Sequence, residues 1–395
     1  MTAIDYRRGP GPSDLANDRD RAPGSLAGAR IVHVTPVYPP EIGGVGAVVR
    51  NLTRRLAAMT DAEVKVLFCD GAWKERNPRR VFDGPVEVLH IRSSKMWVTW
   101  IPRGLSTHLK GADIIHIHDP FFSAIGLLAL FGASRTAKVV MSTHGGFFHT
   151  RRFQTFKKLY FNLGCRLIAR RFASVIAVSA QDFGVFRKIS NRVELIENGV
   201  EIEKFSTIAA LPLGNRFLYV GKLNKNKNIV RLVEVYLMVR GRRPLVSLDV
   251  VGEDSLGIWA NEIKNKIGNG RDYDIKYHGA AADDNVVKLM ASAKFYMLAS
   301  SYEGFGISVV EAMAAGRIPI VNDIPAMRSL IVDQRTGFLV DFAHPEQAAA
   351  RITEILDYPS ARLDEISIAA RRAAERFGWE RAGRAHVQLY ERCLA

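Results

Sequence analysis

The stretch Ser300-Ser301-Tyr302-Glu303-Gly304-Phe305-Gly306-Ile307-Ser308-Val309-Val310-Glu311-Ala312 sets two glutamates eight residues apart around a glycine-bearing turn. The apolar run 294–299 before it reads as a buried strand. The run 307–315 after it, with small and apolar residues at helical spacing, reads as a helix. A strand, a glycine turn and a helix start form a cradle for a ligand. Gly304 and Gly306 admit close approach of backbone to ligand. The unpaired N–H groups of the first helical turn favour a phosphate. A carboxylate on either side of that turn is a double acceptor for paired sugar hydroxyls. A plainer reading stands beside this one: Ser308 and Glu311 have the spacing of a helix capping box, and Glu303 suits an ordinary loop.

Outward from this stretch the chain alternates between short strands and helices. Strands rich in Val and Ile are predicted at 31–35, 64–69, 86–91, 113–118, 138–143, 174–178 and 193–196. A second series follows at 216–220, 245–251, 275–278, 294–299, 318–322 and 337–340. Near-continuous apolar strands between helices predict parallel sheets covered on both faces. The fold class is therefore α/β, with two doubly wound Rossmann-like domains. The expected boundaries are a disordered tail over 1–29, a first domain over 30–205, a second over 206–377, and a helix over 378–395 that can pack back on the first domain. In such folds ligands bind at the carboxyl ends of strands. Gly43-Gly44, His116, His118, His144-Gly145, Gly221-Lys222, Gly252-Glu253 and the Glu303 turn all fall there.

The 395 residues suffice for two full cores, and 48% apolar with 24% charged residues is a globular composition. The longest apolar run, 121–133, is broken by Ser123 and Gly126 and is too short to span a bilayer. Three well-separated cysteines, Cys69, Cys165 and Cys393, argue for a reducing compartment and against a disulfide framework. Net charge is +15, and it is lopsided. Residues 1–190 hold 28 Lys+Arg against 14 Asp+Glu, whereas residues 191–395 hold 27 against 26. Such a balance suggests an anionic membrane, a nucleic acid or a phosphate-bearing substrate as partner.

Several residues offer chemistry. Lys222 and Lys227, between a strand and a helix, can neutralise a diphosphate and stabilise it as a leaving group. An exposed basic loop is the alternative. Gly43 and Gly44 allow backbone approach, but the G-x-G-x-x-G dinucleotide fingerprint is absent, because Gly44-Val45-Gly46 runs on into Ala47, Val48 and Val49. His116 and His118 share one strand face, yet a metal would need a third ligand. No metal is expected, and Asp272-Tyr273-Asp274 reads as a solvated loop. Residues 151–171 carry Arg151, Arg152, Lys157, Lys158, Arg166, Arg170 and Arg171 without an acid, interleaved with Phe153, Phe156, Tyr160, Phe161, Leu163 and Leu167. This is a basic amphipathic helix suited to an anionic membrane surface, extended by Trp97, Trp100 and Arg103. A helix packed on the sheet with a solvated basic face is the competing reading.

The segment from Glu303 to Glu311 resembles the E-x7-E signature of family 4 of the retaining glycosyltransferases, which have the GT-B fold of two domains facing a cleft. Further segments are similar in the family's order: the glycine loop 38–46, the His-x-His strand 113–118, Ser142-Thr143-His144-Gly145, Asn198-Gly199-Val200, and Gly221-Lys222-Leu223 through Lys227. The resemblance spans about residues 30–390. It departs from the family at Lys222, where arginine is usual, and at Asn228, where glycine is usual. Lysine keeps the charge of arginine without its bidentate fork.

The resemblance implies a hexosyltransferase with no cofactor beyond its nucleotide-sugar donor and no essential metal. It implies that Glu311 accepts the ribose hydroxyls and Glu303 the hydroxyls of the transferred sugar. Lys222, Lys227 and the helix start at Gly306, Ile307 and Ser308 would hold the diphosphate, with His144, Gly43 and Gly44 facing the cleft. Residues 221–233 look most like bacterial mannosyltransferases that extend polyprenyl-diphosphate-linked exopolysaccharide units. Expected partners are therefore GDP-mannose and a lipid-linked saccharide, at the inner face of the cell membrane and without nucleic acid. A UDP-sugar-dependent transferase and a non-enzymatic basic membrane- or nucleic-acid-binding module are the alternatives.

Overall fold

The structure, a computed structural model, describes residues 26–39, 44–71, 73, 77–96, 99–118, 130–131, 136–145, 159–208, 211–264 and 274–395. Gly43, Trp97, Asp272 and residues 151–158 of the basic stretch lie outside them, and Trp100 is described by its backbone alone.

The first domain is built on strands β1 (Arg30–Thr35), β2 (Glu63–Asp70), β3 (Arg79–Asp83), β4 (Val86–Met96), β5 (Thr99–Pro102), β6 (Ile114–His118), β7 (Lys138–Ser142), β8 (Ser174–Ala177) and β9 (Val193–Leu195). The second holds β10 (Arg216–Val220), β11 (Ser247–Val251), β12 (Ile275–Tyr277), β13 (Phe295–Leu298), β14 (Ile318–Asn322) and β15 (Phe338–Val340). The first sheet runs β3-β4-β2-β1-β6-β7-β8-β9, with β5 hydrogen-bonded to β4. The second runs β12-β11-β10-β13-β14-β15. All pairs are parallel except β3–β4 and β4–β5.

Strands β3 and β5 escaped the sequence reading for a physical reason. β3 opens Arg79-Arg80 and ends at Asp83, and two of its five side chains are only half-buried while the rest are exposed. Charge on a sheet edge deters pairing with another chain, and it also erases the apolar pattern that marks a strand. β5 is four residues long and ends in Pro102. By contrast every side chain of β6, β8 and β13 is buried, as expected of strands covered on both faces.

Each sheet reverses its winding at one place, between β1 and β6 in the first and between β10 and β13 in the second. Such switch points leave a crevice beyond the carboxyl ends of the strands. The crevice of the second sheet is bounded by Gly221-Lys222 after β10 and by the Glu303 turn after β13. Phe305 anchors that turn, 5% exposed and edge-on to Phe377 with ring centroids 5.5 Å apart.

The chain passes from the first core to the second between Ile196 and Val200, and returns between Phe377 and Trp379. The two passes lie side by side, with the Val200 N–H donating to the Phe377 carbonyl at 2.8 Å. The boundary expected at 205/206 therefore falls earlier, because Val200 and Phe205 are buried in the second core. Residues 26–29, expected within the tail, belong to the first core instead, with Leu26 2% exposed; residues 1–25 lie outside the described residues. The last helix, Trp379–Leu394, packs on the helix Gly44–Met59 of the first domain. Trp379, Leu389 and Tyr390 of this last helix are buried against that domain.

Candidate functional site

The helix Ile307–Ala314 starts at Gly306, whose φ of 109° lies where side chains are strained. A Cβ there would also sit 2.7 Å from Met327 Cε. No side chain caps this helix. The capping-box alternative is thereby corrected: Ser308 lies inside the first turn, and its Oγ is 2.7 Å from the Tyr296 hydroxyl. That hydroxyl is also 3.1 Å from the Val220 carbonyl, so Tyr296 ties the end of β10 to the helix start. The Val309 and Val310 N–H groups both donate to the Gly306 carbonyl, at 3.0 and 3.2 Å, which leaves the N–H groups of Ile307 and Ser308 as the donors without an acceptor inside the helix.

Glu311 forms an ion pair with Lys204 at 2.7 Å. Burial pushes its carboxyl pKa up, against the Lys204 ammonium that pulls it down. Glu303 is 8% exposed and accepts from Lys227 Nζ at 2.6 Å. Two of the residues expected in the site, Lys227 and Glu303, are thus in direct contact. Lys222 forms its ion pair with Glu253, 3.1 Å away on the loop after β11, while the preceding Gly221 lies near Lys227, a Cβ there being 3.9 Å from Lys227 Cε. Asn224 caps the turn that carries Lys227, accepting the Lys227 N–H at 3.0 Å. Asn228, where the family has glycine, has φ 51°. This is the left-handed region, and asparagine is among the few residues besides glycine that tolerate it.

On the first domain, His144 follows β7 with φ 46°. Its Nε2 is 2.8 Å from His118 Nδ1. Asp182, which the sequence reading did not single out, holds the backbone on both sides of it. The Thr143 hydroxyl donates to Asp182 Oδ2 at 2.5 Å and the Gly145 N–H at 2.9 Å. Burial pushes the Asp182 pKa up while these two bonds pull it down. Asp182 lies in the first turn of the helix Ala180–Phe186, and only its neighbours in the fold reveal its part.

The two halves touch backbone to backbone. A Cβ on Gly145 (φ 73°) would lie 2.5 Å from Gly304 Cα, and one on Gly304 would lie 2.9 Å from the His144 carbonyl oxygen. His144 and Glu303 are the immediate neighbours of this contact, on opposite sides of the cleft. Gly44 opposes Ile307 in the same way, with room for 3.5 Å between its would-be Cβ and Ile307 Cδ1. A cavity of about 390 Å³ is lined by His278, Ala280, Ala281, Ala282, Asn285, Lys288 and Leu289, and Asp283, in the same stretch of chain, acts electrostatically on both Lys204 and Glu311.

Residues 204–373 match the family model "Glycosyl transferases group 1", and residues 42–204 match "Glycosyltransferase Family 4". The chain belongs to glycosyltransferase family 4. Its similarity to a GDP-mannose:cellobiosyl-diphosphopolyprenol alpha-mannosyltransferase of Xanthomonas campestris is 30% identity, covering 92% of this chain and 97% of that one. A protein of that name from Komagataeibacter xylinus is 28% identical over 92% of this chain and 93% of its own. A phosphatidyl-myo-inositol mannosyltransferase of Mycobacterium tuberculosis is 28% identical over 71% of this chain and 73% of its own. Among solved structures, sucrose-phosphate synthase of Thermosynechococcus elongatus superposes with TM-score 0.74 at 20% identity, over 92% of this chain and 98% of that one. The GT-B architecture and hexosyl transfer expected from the sequence thus hold for this glycosyltransferase.

The third histidine that a metal would need is present among the described residues. His33 on β1 joins His116 and His118, with ring nitrogens within 4.8 Å of one another. Hydrogen bonds already occupy these nitrogens: His116 to Tyr390 Oη (2.6 Å) and Ser142 Oγ (2.8 Å), His118 to His144 and His33. Only His33 Nε2 lacks a partner.

Two predictions follow from this geometry. Gly145→Ala should lower kcat/KM by roughly 100-fold, because its methyl group would displace the Glu303 turn by about an ångström. Transfer kinetics beside a thermal melt check this; unimpaired turnover would contradict the closed contact.

The second concerns acid. Burial lowers the His33 pKa to about 3 and that of His386 to about 4, and lowers His116 and His118 well below their ordinary 6.5. Below pH 6.5 the unfolded chain takes up protons that the folded core refuses, so stability present above pH 6.5 falls as pH drops towards 4. Each such histidine contributes up to about 1.4 kcal/mol per pH unit in that window. Urea midpoints at pH 7.5 and 5.5 measure it, with the lower midpoint expected at 5.5.

Proposed function

We propose that this glycosyltransferase moves a mannosyl residue from GDP-mannose to a lipid-linked saccharide, with retention at the anomeric carbon. The observation that carries the reading is similarity over nearly the whole chain to mannosyltransferases with diphosphopolyprenol acceptors. The cleft chemistry supports it. Glu311 is the acceptor for the ribose hydroxyls. Glu303 accepts from hydroxyls of the transferred sugar. Lys227, now on Glu303, moves to the diphosphate, and Lys222 approaches it from Glu253. The uncapped turn at Ile307 and Ser308 contributes backbone donors. No metal or other cofactor is assigned.

The mechanism in this reading is front-face displacement. The bond between the anomeric carbon and the phosphate oxygen breaks, the acceptor oxygen bonds to the same face, and the departing phosphate oxygen takes the acceptor proton. Lysine ammonium groups and backbone N–H groups stabilise the charge that develops on the leaving group. Closure across Gly145 and Gly304 excludes water and so protects the donor from hydrolysis.

Membrane association is the second part of the proposal. In the segment 159–171, Phe161, Cys165 and Ala169 face the core, with Phe161 edge-on to Phe186. The outer face shows Leu159, Leu163 and Leu167, 58%, 61% and 62% exposed, beside exposed Arg166, Arg170 and Arg171. Three leucines one helical turn apart among arginines suit the boundary between headgroups and acyl chains. No helix among the described residues is long and apolar enough to cross a membrane.

Calorimetric titration tests the donor site. GDP should bind more tightly than UDP, and Glu311→Gln should weaken GDP by roughly 10- to 100-fold, the worth of about one charge-assisted hydrogen bond. Tighter UDP would overturn the base assignment, and an unaffected variant would overturn the role of Glu311. Co-sedimentation with phosphatidylglycerol vesicles tests the surface. Leu163→Gln with Leu167→Gln should reduce the bound fraction about tenfold or more at unchanged nucleotide affinity. Equal binding by the variant would remove this face from the account.

A further inference from the structure

A line of imidazoles runs from the core of the first domain to the cleft. His33 on β1 sits beside His116 of β6 in the strand register, and its Nδ1 lies 2.9 Å from His118 Nε2. His118 Nδ1 in turn lies 2.8 Å from His144 Nε2. His33 and His118 are fully buried, and His144 is half-buried at the mouth. At the inner end, His33 Nε2 is buried without a hydrogen-bond partner. At the outer end, no described group bonds His144 Nδ1.

Each neutral imidazole carries one N–H and one lone pair, so the direction of one bond in the row sets all the others. If protons pointed inward, His33 Nε2 would carry a buried N–H with nothing to accept it, and orphaned buried donors are rare in folded proteins. If they point outward, His33 Nδ1–H donates to His118 Nε2 and His118 Nδ1–H donates to His144 Nε2. Only a lone pair is then left at the buried end. We infer that His33 and His118 are positioning residues that fix the tautomer of His144, so that it presents Nδ1–H, a donor and not a base, to the bound saccharide.

The neutrality this requires agrees with the burial that holds all three histidines far below their ordinary pKa. The arrangement opposes intrinsic chemistry, because a free histidine side chain in water favours the Nε2–H form. It also bears on the reaction. A His144 whose exposed nitrogen is already protonated cannot take the acceptor proton, which leaves that proton to the phosphate oxygen. This last consequence rests on the glycosyl-transfer reading of the cleft; the tautomer itself does not.

Long-range 1H–15N correlation spectra of the full chain labelled with 15N-histidine report tautomers directly, with His144 assigned by its loss in His144→Asn. The expected pattern is a protonated Nδ1 and a bare Nε2 on His144, in the free enzyme and with GDP. A bare Nδ1 in the wild-type spectrum overturns the proposal, whatever sugar is transferred and whether or not any variant folds. Kinetics supply a second arm. His118→Asn keeps an amide donor in place of Nδ1–H and should stay within about fivefold of wild-type kcat, whereas His118→Leu should lose roughly 10- to 100-fold in kcat with donor KM within about twofold. Equal loss in both variants would mark His118 as packing alone and overturn its positioning role.

Discussion

Two glycines, Gly145 and Gly304, let the domains meet at a separation no side chain permits. A would-be Cβ falls 2.5 Å from the opposing Cα, so the approach is one of bare backbones. The proposed site is referenced to that point, since His144 precedes one glycine and Glu303 the other. The surrounding structure keeps the contact fixed. Asp182 grips the chain on either side of His144 through Thr143 and Gly145, while Phe305 buries the following turn beside Phe377.

The charges of the cleft are already satisfied within the protein. Lys227 is on Glu303, Lys204 on Glu311 and Lys222 on Glu253. A half-buried ammonium without an acid beside it would cost several kcal/mol. Under the proposed function, the donor's diphosphate would replace a carboxylate as partner of Lys227, and the freed carboxylate would meet sugar hydroxyls. Binding then exchanges partners and leaves no charge newly bare, which is how a strongly polar site can sit inside a stable fold.

Much of this was legible in the order of residues. The glutamate pair, the glycine turn and the apolar strands are local patterns, and most predicted strands lie within a residue or two of β1–β15. What was not legible depends on residues far apart in sequence. Asp182 is 37 positions from Gly145, and Lys204 meets Glu311 only because the chain crosses between domains beside the helix start. His33 reads as one residue in an apolar strand until the register sets it beside His116. The charged edge strand β3 hid for the opposite reason: its surface role removed its local signal. Lys222 shows a further limit, because its ion-pair partner Glu253 follows a different strand and cannot be read from the residues around it.

The last helix has a consequence for dissecting this molecule. Residues 379–394 follow the second domain in the chain yet complete the core of the first, where the Tyr390 hydroxyl bonds His116 and Trp379 is buried. The halves are therefore laced together like a buckled belt. An isolated first half ending near residue 196 would expose the apolar surface that this helix covers. A hybrid enzyme that borrows its first half from a relative would need that relative's final helix as well, and so two splice points, near 196–200 and 377–379.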